Sequence, residues 1–425
     1  MTAQNQTVLL LEPESSGLDL IKAAARLGFG VHIFDHRPLE ELGAAARQAV
    51  ADGTANYRQV DVRATHTAVA AAKELSAQTP LSAVIPGFEY AVPAAAAIAA
   101  ALGLPGLDPE GAEALREKDL MKTRLQEAGV AVAAGVCFDL TQAARATGEF
   151  ARTVGFPAVI KPVDGSGSLL VRRVDDAAEL DAYLELCRRG TVDSMGRPMG
   201  VRLLLERYVP GAEFSVEGYV SGHDVTVVAV TQKQLGAEPD FAELGHIVDA
   251  PLGAAERNAL EATATAAVRA LGLTLGVFHL EARLAPGGPV VMEIGARLPG
   301  DRIPVLVSEV HGVDLAETMV RCHAGLPISP ASPQPRAGVA ASQFFTVETA
   351  STLPDPDLLV RRLSTLEGCI EAVVTSEPGA LLLPATDWRQ RFGRLIVSAP
   401  DRERLEAVLA DAHHLIRTAV KVHDR

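Results

Sequence analysis

Two glutamates carry the most specific chemical signal in the chain. They lie in Phe278-His279-Leu280-Glu281-Ala282-Arg283 and, after a Pro/Gly turn, in Val291-Met292-Glu293-Ile294-Gly295-Ala296-Arg297. Strand side chains alternate faces, so His279, Glu281 and Arg283 share one face, as do Glu293, Gly295 and Arg297 on the next strand. A three-residue loop of Pro286, Gly287 and Gly288 sets Glu281 opposite Glu293. Like charges facing each other destabilise a hairpin. A divalent cation between them removes that cost, and one or two carboxylates completed by waters and phosphates are how Mg²⁺ is held at nucleotide sites. The neighbours Val277, Phe278, Leu280, Val291, Met292 and Ile294 are apolar. They place this hairpin in the interior and disfavour two glutamates that merely meet water.

Two further segments suit phosphate and nucleotide binding. Phe156-Pro157-Ala158-Val159-Ile160-Lys161-Pro162 runs into Asp164-Gly165-Ser166-Gly167-Ser168. Small residues let backbone N–H groups approach phosphate oxygens, and a lysine adds a point charge. No Gly-Lys-Ser/Thr follows, so this is not a Walker A loop. In Leu205-Glu206-Arg207-Tyr208-Val209-Pro210-Gly211-Ala212-Glu213 an apolar strand turns and resumes at a glutamate. Each segment alone fits an ordinary hairpin.

Positioning these residues needs a sizeable scaffold, and 425 residues with 48% hydrophobic content supply one. The formal charge of −14 and the lack of a Lys/Arg-rich run argue against nucleic acid as a partner. The longest apolar run, Tyr90 to Pro105, is interrupted by Pro93 and too short to span a bilayer, and no signal peptide is evident at the N-terminus. Cys137, Cys187, Cys322 and Cys369 lie far apart, as expected of reduced thiols in a cytoplasmic protein. Strands at Val8–Leu11, Val31–Phe34 and Leu81–Ile85 alternate with helical patterns at Gly17–Leu27 and in the alanine-rich run, which implies a parallel sheet covered on both faces. Nicotinamide binding by that unit fails, because Glu12-Pro13-Glu14-Ser15-Ser16-Gly17 offers one glycine where the dinucleotide fingerprint needs three. Helices are expected at Glu117–Gly129, Ala177–Cys187, Ala254–Leu271 and Arg402–Val420, and an exposed loop at Gly190–Gly200. His413 and His414 read as a solvated pair, and Trp388 as packing.

In order and spacing these segments resemble the ATP-grasp superfamily, and within it carboxylate–amine ligases of the L-amino acid ligase type. The resemblance covers residues 1–326 and, more loosely, the tail. It implies an N-terminal Rossmann-like parallel-sheet domain (1–115), two α+β subdomains clamping ATP (116–205, the lid, and 206–328), and a C-terminal α+β appendage (329–425). It also implies ATP and Mg²⁺, or Mn²⁺ in its place, as cofactors. By motif, Lys118 and Lys161 contact phosphates, and Glu206 and the Val209 backbone meet the adenine. Glu213 holds the ribose, while Ser166, Gly167 and Ser168 belong to a mobile loop, Asp164–Ser168. Glu281 and Glu293 ligate metal, and Arg297 meets the phosphoryl group. Glu243 and His246, in Phe241-Ala242-Glu243-Leu244-Gly245-His246, lie near the substrate, as does Gly300. The chain departs from the family at Pro299, where many members have glycine, and at Gly295, where the D-alanine ligase branch has a metal-binding asparagine.

The activity implied is ligation. A carboxylate attacks the γ-phosphorus of ATP, and an amine displaces phosphate from the acyl phosphate, with Glu243 or His246 orienting the ammonium group or accepting its proton. Expected partners are ATP and small carboxylate and amine substrates, with no membrane, in a homodimer. The competing readings are an ATP-grasp enzyme of the purine, bicarbonate or D-alanine kind, and an ATP-binding module without ligase chemistry.

Overall fold

A computed structural model describes residues 6–422, apart from Thr191, Ser194, Arg197, Pro198, Gly200, Val201, His223 and residues 329–334. The N-terminal apolar runs form a parallel sheet in the order Ala55–Gln59, Gly30–Asp35, Thr7–Leu11, Leu81–Pro86. Val8, Leu10, Ile33 and Ile85 pack into one layer, and Leu9, Leu11, Phe34 and Val84 into the other. Burial on both faces is what makes such strands read as unbroken apolar runs. The helix expected at Gly17–Leu27 opens with a 3-10 turn, Ser15–Leu18, before the α-helix Asp19–Arg26. Gly17 is required there, since a Cβ would lie 1.8 Å from the Gly87 carbonyl oxygen. The alanine-rich run becomes the buried helix Val92–Leu102.

Next comes the helix Lys118–Glu127, followed by Gly129 with φ of 74°. A four-stranded antiparallel sheet then runs Gly135–Asp139, Arg202–Arg207, Ala158–Pro162, Arg172–Val174. Phe150, Leu180 and Leu184 of two helices fill its core. The stretch Gly190–Gly200 departs from the exposed loop expected: among its described residues, Asp193 and Met195 are buried. Asp193 accepts from Arg63 Nη2 at 2.5 Å, and the Met195 carbonyl lies 3.3 Å from His36 Nε2. Polar groups that composition assigns to solvent thus dock this loop on the N-terminal unit.

The largest layer is an eight-stranded antiparallel sheet, ordered Gly288–Gly295, Leu275–Ala285, Glu213–Ser221, Asp224–Leu235, Glu243–Val248, Val339–Phe345, Gly393–Ala399, Cys369–Val374. Its last three strands come from the C-terminal segment and extend the same sheet. The Pro-rich boundary stretch Ser329–Pro335 lies outside the described residues except for Pro335. On one face, Leu260, Ala264 and Val268 of the helix Ala254–Ala270 meet Val216, Val230, Phe278, Leu280 and Ile294. The final helix is Arg402–Ala419, with His413 and His414 exposed, and all four cysteines are free. Among the described residues no helix is long and apolar enough to cross a membrane.

Candidate nucleotide and substrate site

The other face of the large sheet is polar. Glu213, Ser215 and Glu217 alternate along one strand and face Arg283, Glu281 and His279 on the next. Lys233, one strand further, faces His246. Above this face lies a cavity of about 440 Å³, closed on its other side by the smaller antiparallel sheet and the loop through Ser166, Gly167 and Ser168.

Glu281 does face Glu293, but not through a three-residue loop. Ala285 pairs with Gly288, so only Pro286 and Gly287 form the turn, and that register alone would put Glu281 against Met292. A bulge at Met292 adds one residue and brings Glu293 opposite Glu281. Met292 and Glu293 both line the cavity, while Val291 and Ile294 are buried beside them. The like-charge problem is met from within the protein: Lys233 Nζ lies 2.6 Å from Glu281, and Lys118 Nζ 2.9 Å from Glu293. Two ammonium groups therefore share a task that the sequence argument gave wholly to a cation. Both carboxylates keep about a quarter of their side-chain area open, 23% and 26%. Hard oxygen donors opening onto a cavity that Lys118, Lys161 and Arg297 also line fit Mg²⁺ or Mn²⁺ carried in with phosphate. Gly295, paired with His279, offers no third side-chain ligand.

Lys233 is the main residue the sequence reading missed. Its buried Nζ lies 3.0 Å from Glu213, 3.2 Å from Glu243 and 2.6 Å from Glu281. Burial pulls its ammonium down, but the three carboxylates outweigh that and hold it well above the ordinary lysine range. His279 sits between Glu217 at 2.9 Å and Glu281 at 3.3 Å. Burial opposes its charge, yet the hydrogen bonds and charges of those glutamates lift it to about 9.

At one end of the cavity Glu206 is buried between two lysines, Lys161 at 2.6 Å and Lys122 at 2.8 Å. Burial opposes its ionisation, but the lysines win and lower it. Lys122, which the sequence reading did not select, is drawn down to about 8 by burial against the pull of Glu206. The Val209 carbonyl accepts from Arg283 Nη1 at 2.9 Å, and Glu213 accepts from Arg283 Nε at 3.0 Å. The loop is held at several points. Arg116 donates to the Asp164 carbonyl, Lys118 to that of Gly165 at 2.7 Å, and Tyr90 to Ser166 Oγ at 3.3 Å. Ser168 Oγ donates to Glu243 at 3.4 Å.

At the other end Arg297 is held by Glu89, at 3.0 Å from Nη2 and 3.2 Å from Nε. Burial would raise the Glu89 carboxyl, but Arg297 and Arg116 bring it down to about 2. His246 Nε2 lies 3.2 Å from both Glu243 and Asp301. Burial opposes its charge, but the two carboxylates raise its pKa. Gly300 lines the same end. Sequence reasoning also passed over Glu89, Asp301 and Arg391, and it assigned Trp388 to packing. The indole instead sits at the cavity rim, 37% exposed, beside Gly167.

Residues 154–305 match the model of the ATP-grasp domain, and residues 21–106 that of the ATP-grasp N-terminal domain. Carnosine synthase 1 of Gallus gallus is 32% identical over 218 residues, 48% of this chain and 22% of that protein. Dapdiamide A synthase of Enterobacter agglomerans is 28% identical over 238 residues, 55% of this chain and 54% of that protein. The chain spans between 22% and 62% of the length of the curated relatives it matches. The crystal structure of an L-amino acid ligase from Bacillus licheniformis shares the fold over 100% of both chains, with a TM-score of 0.79 at 23% identity. With residues 21–106 and 154–305, together more than half of its length, matched by models of the ATP-grasp N-terminal domain and the ATP-grasp domain, the chain belongs to the ATP-grasp superfamily.

Proposed function

We propose that the chain is an ATP- and Mg²⁺-dependent carboxylate–amine ligase that forms an amide bond with an amino acid as one substrate. The observation that carries this reading is the Glu281–Glu293 pair opening onto a cavity that also holds Lys118, Lys161 and Arg297. The names of the relatives support it: carnosine synthase, dapdiamide A synthase, L-amino acid ligase and D-alanine–D-alanine ligase. The four free cysteines fit a reducing, cytoplasmic setting.

In this reading Lys161, Glu206, Val209 and Glu213 hold the nucleoside end. Lys118, Lys161 and Arg297 neutralise the phosphates and the developing charge. A metal bound at Glu281 and Glu293 supplies further charge neutralisation at the transferring phosphoryl group. A substrate carboxylate oxygen bonds to the γ-phosphorus as the bond to ADP breaks. The amine nitrogen then bonds to the acyl carbon, and phosphate departs with the former carboxylate oxygen. Glu243, whose carboxyl Lys233 holds well below the usual range, orients the ammonium group beside His246, and the departing phosphate takes up the proton that the nitrogen loses. Loop residues Ser166, Gly167 and Ser168 exclude water from the acyl phosphate. The test is to follow phosphate release and amide formation together over a panel of amino acids. Equal amounts of both from one acid–amine pair support the proposal. Nucleotide binding without phosphate release for any pair overturns it.

A further inference from the structure

The C-terminal segment reaches the cavity beside the loop through Gly167 and the corner at Asp301. It does so through Trp388 and Arg391. We propose that Trp388 is the specificity surface for the amino-acid side chain and that Arg391 is the positioning residue behind it. The proposal rests on the ligase reading above and goes beyond it in assigning substrate selection to this segment.

The indole stands on a rigid support. Trp388–Gln390 is a 3-10 turn in which buried Asp387 accepts from Arg389 N at 2.9 Å, and Gln390 Oε1 accepts from Asp387 N at 3.0 Å. A Cβ on Gly167 would lie 3.0 Å from the indole Cδ1, so the loop closes directly onto this ring. A flat apolar surface left partly open at the rim of the cavity suits an apolar or aromatic amino-acid side chain.

Arg391 has a different task. Its Nη1 lies 2.9 Å from both oxygens of Asp301, and its guanidinium stacks 3.9 Å from the centre of the Phe344 ring. Asp301 and Arg302 have φ of 54° and 65°, a left-handed pair without glycine. Arg391 holds the first, and Glu371 lies 3.4 Å from the second. Both come from the C-terminal segment, so that segment holds the corner that presents Gly300 and Asp301 to the cavity. Glu243, His246 and Asp301 have ligand atoms within 4.8 Å of one another. Arg391 and Lys233 already supply positive charge there, which makes the trio an anchored wall and not a cation site.

Trp388 is the only tryptophan in the chain, so its emission reports on this surface without turnover. Apolar amino acids added to the full chain with a non-hydrolysable ATP analogue and Mg²⁺ should change that emission saturably, beyond any change from the analogue alone. Trp388→Ala should raise the KM for the preferred amino acid about tenfold or more and flatten the preference among side chains. It should leave analogue affinity within about twofold, and Trp388→Phe should restore most of the loss. Arg391→Met should lower kcat more than it raises KM, with Arg391→Lys partly restoring it. Unchanged emission for every amino acid, or an unchanged preference in Trp388→Ala, overturns the proposal and leaves the ligase reading intact. An amino-acid-dependent emission change without phosphate release sinks the ligase reading and leaves the binding surface standing.

Discussion

Replacing Glu89 with glutamine removes the charged partner of the half-buried Arg297 while keeping size and shape. Glu89 accepts from Arg297 at 3.0 and 3.2 Å, and its side chain is 7% exposed. In the folded protein its carboxyl titrates at about 2, against an ordinary 4.5, because Arg297 and Arg116 overcome the cost of burial. At about 1.4 kcal/mol per pH unit, that gap amounts to roughly 3 kcal/mol. The sign follows from the depression. The contribution is complete above 4.5 and is lost as pH falls through about 2. Urea unfolding of wild type and Glu89→Gln should therefore differ by roughly 3 kcal/mol near neutral pH, and the difference should shrink steadily in acid. A difference that stayed constant from about pH 7 to about pH 3, or no difference at all, would refute the reasoning. The variant should also be a poorer catalyst, since Arg297 loses the group that orients it.

Three further outcomes are expected. Glu293→Gln should abolish phosphate release while circular dichroism and unfolding midpoint stay near wild type, because the side chain lies on the cavity wall. Lys233→Met leaves Glu213, Glu243 and Glu281 without a shared cation and should cost roughly 3–5 kcal/mol in urea unfolding. Because the His279 pKa is raised from 6.5 to about 9, its contribution is complete below 6.5 and lost as pH rises through about 9. Unfolding of wild type against His279→Gln should show a gap of roughly 3 kcal/mol below neutrality that closes in alkali.

The strand pairing of the two glutamates was legible because period-two alternation and a Pro/Gly turn leave few registers. The bulge at Met292 was not, since nothing in Val291-Met292-Glu293 distinguishes an inserted residue from a regular one. Two errors of one residue, in loop length and in register, cancelled. Lys233 was hidden for another reason. A lone lysine in a strand looks solvent-facing until its neighbours are known, and here they are Glu213, Glu243 and Glu281, from separate strands. A signal was present in the alternation Glu213, Ser215, Glu217 against His279, Glu281, Arg283. One polar face on two long strands calls for buried counter-charges on the strands beside them. Glu89 and Arg391 lie 208 and 90 residues from the side chains they anchor, Arg297 and Asp301, and pairings at that distance in the sequence leave no local pattern. The parallel sheet was readable from apolar runs alone. That the C-terminal segment would extend the large sheet was not, because edge-to-edge pairing depends on backbone groups common to every residue.

The central claim is that a substrate carboxylate is phosphorylated before the amine attacks. Incubation of the protein with ATP, Mg²⁺, an amine and an amino acid carrying oxygen-18 in its carboxylate tests this in one step. Mass spectrometry should find one labelled oxygen in each phosphate released alongside the amide. Amide formed while the released phosphate stays unlabelled would contradict the account.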